Sequence, residues 1–242
     1  PMSRTMVVAV KRTNLLTATT IVRLIGLPAA RDVDTFAGGL VQMAEFEIPE
    51  GSPLDGQTVQ EADRFDSLTF AAIIRETDVV VPRGDSVIGA GDDVVVIGSR
   101  ESVRQLAAEI VPHVGDRSDN ILIIGGSDIG YQTARLLEEQ GVSPRLIERD
   151  SDRARNLAEK LPSTTVLESD ATDRSFLQRE HIADVDVAVS VLGNDGSNLL
   201  ASLLAKRLGA ERAVAVVDAF EYVDLFEEVG VDVGVNPRKV TG

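Results

Sequence analysis

The second half of this chain predicts an α/β fold with a doubly wound parallel sheet. Three observations lead there. Residues 120–242 contain six short runs that are near-continuous Ile, Leu, Val and Ala, the pattern of strands covered by helices on both faces. Helical segments separate these runs at regular spacing, and strand–helix–strand repetition makes right-handed crossovers between parallel strands. The first run leads straight into a glycine-rich turn and a helix. A small α+β unit precedes this sheet.

Taken in order, residues 1–37 predict a strand at 6–10 and a helix at 15–25. Ile21, Val22, Leu24 and Ile25 give the helix an apolar stripe, and Gly26 and Pro28 stop it. The segment has no sheet partners of its own, so it reads as the end of something that begins upstream; the opening Pro-Met fits that reading. The unpartnered stripe predicts dimerisation.

Residues 38–113 form the small unit. A half-buried strand is expected at 40–48, with Val41, Met43, Phe46 and Ile48 inward. A hairpin follows, 67–75 with 78–81, turning near Glu76-Thr77. Val87-Ile88 suits a short strand and 93–98 a longer one. A helix over 101–111, with Ser99 at its N-cap and Pro112 after its end, closes the unit. The polar stretch 113–120 is the expected domain boundary. In residues 114–242, strands are predicted at 121–124, 145–148, 164–168, 185–191, 213–217 and 231–235. Helices are predicted at 129–140, 152–160, 173–180, 196–208 and 220–229.

Composition narrows the chemistry. The 242 residues include no Cys, which removes disulfides, thiol nucleophiles and thiolate metal sites. Two His, at 113 and 181, argue against a multi-histidine metal centre; His181, at a helix end, reads as a surface or capping residue. No apolar run approaches the ~20 residues that a membrane helix needs. The formal charge of −15, from 24 Lys+Arg against 39 Asp+Glu, opposes binding to a phosphate backbone. Solubility or adaptation to high salt is the favoured account of it, with attraction of cations the alternative.

The candidate site begins at Gly125-Gly126-Ser127-Asp128-Ile129-Gly130. The dinucleotide fingerprint places G-x-G-x-x-G at such a strand–helix junction. Gly125 and Gly130 match, whereas Ser127 stands in the middle glycine's place. The N–H groups of Asp128 and Ile129 are then aimed at phosphates, and the Asp128 carboxylate must point away. The competing reading is a plain strand–helix turn. Glu148 ends the second strand, where a carboxylate accepts ribose hydroxyls and opposes a 2′-phosphate. Arg149 beside it blurs that exclusion, and a solvated strand-end acid is the alternative. Asp170 and Ala171 follow the third strand at the edge expected to abut adenine; Asp170 serves equally as a helix cap. After the fourth strand, Leu192, Gly193 and Asn194 fall where the strand order should reverse and open a crevice. There too a helix cap, by Asn194 or Asp195, is the alternative. Tyr131 and Tyr222 lack a Lys four residues on, and no nucleophile–base pair is evident. A regulatory binding module without catalysis is therefore favoured, with an NAD-dependent oxidoreductase using 38–113 as its substrate domain as the alternative.

With these residues assembled, the chain resembles the TrkA family, cytosolic subunits of bacterial and archaeal potassium uptake systems built from RCK (KTN) domains. The stretches ILIIGGSDIGYQTARLLEEQG, LIERD, SDATD and LLAKRLGA fall in family order, and SPLDGQTVQEA with VVVPRGDSVIGAGDDVVVIG resembles the RCK C-terminal subdomain. The resemblance implies a Rossmann-like nucleotide-binding subdomain (TrkA-N) at 114–242 and a TrkA-C subdomain at 38–113. Residues 1–37 become the last strand and crossover helix of a preceding Rossmann subdomain in a tandem protein. It further implies NAD(H) or ATP/ADP as ligand, an integral membrane potassium transporter as partner and a homo-oligomer, dimer or tetramer. The implied location is cytoplasmic, peripheral to the inner face of the membrane. Ser127 departs from the family pattern. So does Val216, where many members carry an Arg near the phosphates.

Overall fold

The computed structural model describes residues 4–27, 29–75, 78–111 and 120–238. These form two compact units, Pro1–Val22 with Ser118–Gly242, and Arg23–Arg117. The expected turn at Glu76-Thr77, the stops at Pro28 and Pro112, His113 and the linker up to residue 119 lie outside the described residues.

The chain opens with α1 (Arg4–Ile25). The strand expected at 6–10 is therefore helical. An apolar run of five residues suits either state, and no Gly or Pro interrupts the segment before Gly26. Two threonines that could loosen the helix bond within it, Thr17 Oγ1 donating to Thr13 O at 2.9 Å and Thr19 Oγ1 to Leu15 O at 2.8 Å. Ala18, Ile21, Val22, Leu24 and Ile25 are buried. The stripe is thus not open for the dimer contact expected of it.

The smaller unit is an antiparallel sheet of β1 (Ala30–Phe36), β2 (Val41–Glu47), β3 (Leu68–Arg75), β4 (Asp78–Val80) and β5 (Asp93–Ser99), in the order β1-β2-β5-β3-β4. Between β2 and β3 lies the short α2 (Val59–Ala62), closed by a reciprocal Thr58–Glu61 capping box. Sequence reading missed β1, whose Arg31 donates to Glu47 at 2.8 Å and Asp93 at 3.3 Å across the sheet. On β2 the inward residues are Gln42, Ala44 and Phe46, followed by Ile48, and Val41 and Met43 lie on the other, half-buried face. Alternation has period two, so positions 41 and 46 cannot share a face unless a bulge intervenes, and β2 runs against β5 without one. The strand expected at Val87-Ile88 is only an isolated bridge from Val87 to Thr58. Then α3 (Arg100–Ile110) follows, with the Ser99 hydroxyl accepting from Ser102 N at 3.1 Å as its N-cap.

The larger unit holds β6 (Ile121–Ile124), β7 (Arg145–Glu148), β8 (Thr165–Glu168), β9 (Val187–Ser190), β10 (Arg212–Val216) and β11 (Val233–Val235). Between them come α4 (Asp128–Glu139), α5 (Ser151–Lys160), α6 (Arg174–Arg179), α7 (Asp195–Arg207) and α8 (Val223–Glu228). All six strands are parallel, in the order β11-β10-β9-β6-β7-β8. The chain steps outward from β6 through β7 to β8, then crosses back to lay β9 on the other side of β6. That reversal opens a crevice beyond the carboxyl ends of β6 and β9. Every residue of β6 is 1% exposed or less. Its Leu122 and Ile124 pack in a core with Ile147, Leu177, Ala188 and Ala201.

Candidate functional site

The crevice is a cleft of about 470 Å³, within the range of small-molecule sites. The glycine turn forms its floor. Gly125 has φ +115, a left-handed conformation, and a Cβ there would lie 2.9 Å from the Val191 carbonyl oxygen. Gly130 lies against the turn from the helix side: its Cβ would fall 2.1 Å from Gly125 O. Only glycine at both positions lets α4 start this close to β6 and β9.

Ser127 is the N-cap of α4, its Oγ accepting from Gly130 N at 3.2 Å. The hydroxyl proton stays available to an acceptor in the cleft. The N–H groups of Asp128 and Ile129 have no acceptor within the helix, because the first turn of any helix lacks them. Asp128, Ile129 and Gly130, expected at the site, are not among the residues that line the cleft. Asp128 faces a separate cleft of about 220 Å³ beside Tyr131 and Lys160, and pairs with Arg153 at 3.3 Å.

Glu148, at the end of β7, lines the cleft beside the glycine turn. Its Oε2 accepts from Gly126 N at 2.9 Å and its Oε1 from Asp150 N at 2.7 Å. Each carboxylate oxygen keeps a further lone pair, so the group is fixed in place and can still accept hydroxyls. Asp170 Oδ1 accepts from both the N–H and the hydroxyl of Thr172, at 2.8 and 2.7 Å. Those bonds hold its carboxyl below the usual carboxylate range. The cap alternative for Asp170 goes instead to Asp173, which accepts from Ser175 N and Phe176 N at the start of α6. Arg149 reaches over this edge, 4.0 Å from Asp170.

Across the crevice, Leu192, Gly193 and Asn194 form the opposite wall. Asn194 also caps α7, accepting from Ser197 N at 2.9 Å, the role offered as the alternative to a place at the crevice. Asp195 accepts from Asp218 N and Ala219 N, at 2.8 and 3.1 Å. Beneath this wall the buried Asn198 takes Leu192 N on its Oδ1 at 2.6 Å and gives its Nδ2 to Val216 O at 2.8 Å. His181 lies away from the cleft, exposed, with left-handed backbone after α6.

The structure thus brings Gly125, Gly126, Ser127, Glu148, Arg149, Asp170, Ala171, Leu192, Gly193 and Asn194 to one cleft. Sequence reasoning did not single out Ile147, Ser169, Thr172, Val191 and Ser197, which also line it, or Asn198 behind it. The only signal was position: Ser197 and Asn198 lie three and four residues after a capping Asn, in the first helical turn. Among the described residues, no group of three or more His, Cys, Asp or Glu could hold a metal ion.

A parallel sheet with this strand order and a glycine turn under its crevice defines the larger unit as a Rossmann-like domain, here accompanied by an antiparallel α+β unit. The TrkA-N domain model matches residues 121–237 and the TrkA-C domain model residues 43–111. The chain belongs to the TrkA family, with its TrkA-C domain preceding its TrkA-N domain. A Trk system potassium uptake protein TrkA homolog of Archaeoglobus fulgidus is 41% identical over 219 residues, 90% of this chain and 50% of that protein. The chain spans about half the length of the curated relatives it matches. The crystal structure of the GsuK RCK domain has the same fold, at TM-score 0.62 and 23% identity, covering 93% of this chain and 49% of that one. So has the GsuK channel bound to NAD, at TM-score 0.63 and 22% identity, covering 94% and 40%. No helix among the described residues is long and apolar enough to cross a membrane.

Proposed function

We propose that this chain is the nucleotide-binding part of a regulatory subunit of a potassium uptake system. In this reading the cleft takes NAD(H) or ATP/ADP. Phosphates lie on the Ser127–Ile129 turn, ribose hydroxyls on Glu148, and adenine against Asp170 and Ala171. Binding shifts the protein between two shapes, because only a ligand with unequal affinity for them moves the balance. An integral membrane potassium transporter, met at the cytoplasmic face of the membrane, reads the shape, and the protein works as a homo-oligomer. Half-length coverage of the relatives and the order TrkA-C then TrkA-N support a tandem arrangement in which 38–113 and 114–242 belong to successive units.

The observation that carries the proposal is the Glu148 carboxylate, held by Gly126 N and Asp150 N beside unpaired helix-start amides at a topological switch point. The naming of the Archaeoglobus relative as a potassium uptake protein homolog and the NAD-bound state of GsuK support it. A bound nucleotide supplies phosphate charge and two ribose hydroxyl pairs or one, and no chemical step is needed. Calorimetry on the full chain tests the reading. Saturable heat with NADH or ATP, and no NADH consumption with simple carbonyl metabolites, is expected. Steady turnover of NADH would overturn it.

A further inference from the structure

We infer that the smaller cleft of the parallel-sheet unit is a second binding site, and that it takes a compact oxyanion of phosphate or dicarboxylate chemistry. Asn14 of α1, Tyr131 and Gln132 of α4, and Arg153, Asn156 and Lys160 of α5 meet there. Each carries a hydrogen-bond donor. Among the described residues, the side chains of Asn14, Tyr131, Asn156 and Lys160 have no hydrogen-bond or ion-pair partner. Gln132 uses its Oε1, which accepts from Arg135 Nε at 3.1 Å, and so keeps its amide donors. Arg153 gives Nε to Gly126 O at 2.8 Å and one further N–H to Asp128 at 3.3 Å; the rest of its guanidinium donors stay available. The bond to Gly126 fixes one edge of that planar fork, whose geometry matches a pair of carboxylate or phosphate oxygens.

Charge points the same way. Arg153 and Lys160 are joined by a single carboxylate, Asp128, so this lining is net positive in a chain of formal charge −15. The larger cleft has the opposite balance, Glu148 and Asp170 against Arg149. A positive hollow in an acidic surface concentrates small anions. Its volume of about 220 Å³ lies below the range of drug-sized ligands, so the occupant is small: inorganic phosphate or a short dicarboxylate has the right size and charge. The Asp128 side chain is 64% exposed and can turn to water. A dianion then offers two charges to Arg153 and Lys160 where Asp128 offers one. Neither cation lines the larger cleft, so this site stands apart from the nucleotide reading.

Amide-resolved NMR titration of the full chain with sodium phosphate, and separately with succinate, at about 0.1 M KCl, tests this. Saturable shifts of the Asn14, Tyr131 and Asn156 signals are expected, and saturation by one anion but not the other names the occupant's chemistry. Lys160→Gln should weaken binding at least about fivefold, the effect of one unit charge about 4 Å away in water. Asp128→Asn should tighten it by a similar factor, because the resident competitor for Arg153 is gone. Arg207→Gln removes an exposed charge that lines neither cleft and should change the Kd by no more than about twofold. The same spectra show whether each variant is folded, and Asn156→Ala, expected to weaken binding, replaces one that is not. No saturable shift at these amides with either anion up to about 10 mM, or a Kd that ignores both Lys160→Gln and Asp128→Asn, overturns the site. Shifts confined to Gly193 and Asn194 would put the anion in the larger cleft and overturn it equally.

Discussion

Gly130→Ala tests whether the glycine turn is held by packing. The added Cβ would sit 2.1 Å from Gly125 O and 3.0 Å from Val191 Cγ2, where ordinary contact begins at 3.4 Å. The first obstacle is backbone, so no side-chain rotation relieves it. Either α4 retreats by about 1 Å or the turn gives way, and the turn is pinned by the left-handed φ of Gly125. Overpacking of this kind costs roughly 3 kcal/mol, at the upper end of its usual range. Alanine's better helix propensity returns up to about 1 kcal/mol. The net loss of about 2 kcal/mol should lower the melting temperature by roughly 4–8 °C in a chain of this size. Circular dichroism on the full chain measures it, with Gly193→Ala as the comparison, since that position is open and should shift stability by no more than about 0.5 kcal/mol. If Gly130→Ala melts within a degree of the parent, α4 is not packed on the turn as described, and the argument for the phosphate floor fails with it.

Other perturbations separate the roles further. Glu148→Gln presents an NH2 group to one of two backbone donors; nucleotide affinity should drop at least about tenfold and stability by about 1–2 kcal/mol, read by calorimetry and urea unfolding. Asn198→Leu strands Leu192 N and Val216 O in a buried place, and should cost about 2–4 kcal/mol; a loss under 0.5 kcal/mol would mean that water reaches both groups. In the small unit, burial pushes the Asp92 carboxyl up, but the two-pronged Arg75 guanidinium and Gly89 N–H outweigh it and hold it below the usual range. Its folded pKa lies below its unfolded one of about 3.9, so its stabilisation is complete above that pH and is lost as pH falls through the folded value. The stability gap between the parent and Asp92→Asn should therefore narrow on acidification from about pH 5 to about pH 2. A gap that stays constant would show that Asp92 is not protonated over that window.

The parallel unit was legible because its strands are saturated with aliphatic residues and its turns fall at regular spacing. The start of the chain was not. Residues 6–10 are as apolar as a strand, and five residues are too few for period two and period 3.6 to diverge. β1 escaped because three of the seven residues of its run, ARDVDTF, are charged; Arg31 is accommodated by ion pairs with residues 16 and 62 positions away, which no local window contains. In the cleft, the glycines and Glu148 were readable from their spacing alone. What Glu148 holds on to was not, since Gly126 is twenty-two residues distant and meets it only after two strands have paired. Asn198 was hidden for a related reason: from sequence it is one polar residue in the first turn of a helix, and its importance comes from the carbonyl of Val216 on a neighbouring strand.

That asparagine has a mechanical meaning. One planar amide clasps the loop that overhangs the crevice and, with its other end, the tip of β10. Anything that tugs on the overhang therefore pulls the adjoining strand rather than bending a slack tether. Through that clasp Leu192, on the cleft wall, is tied to β10 and to the β11 bonded to it.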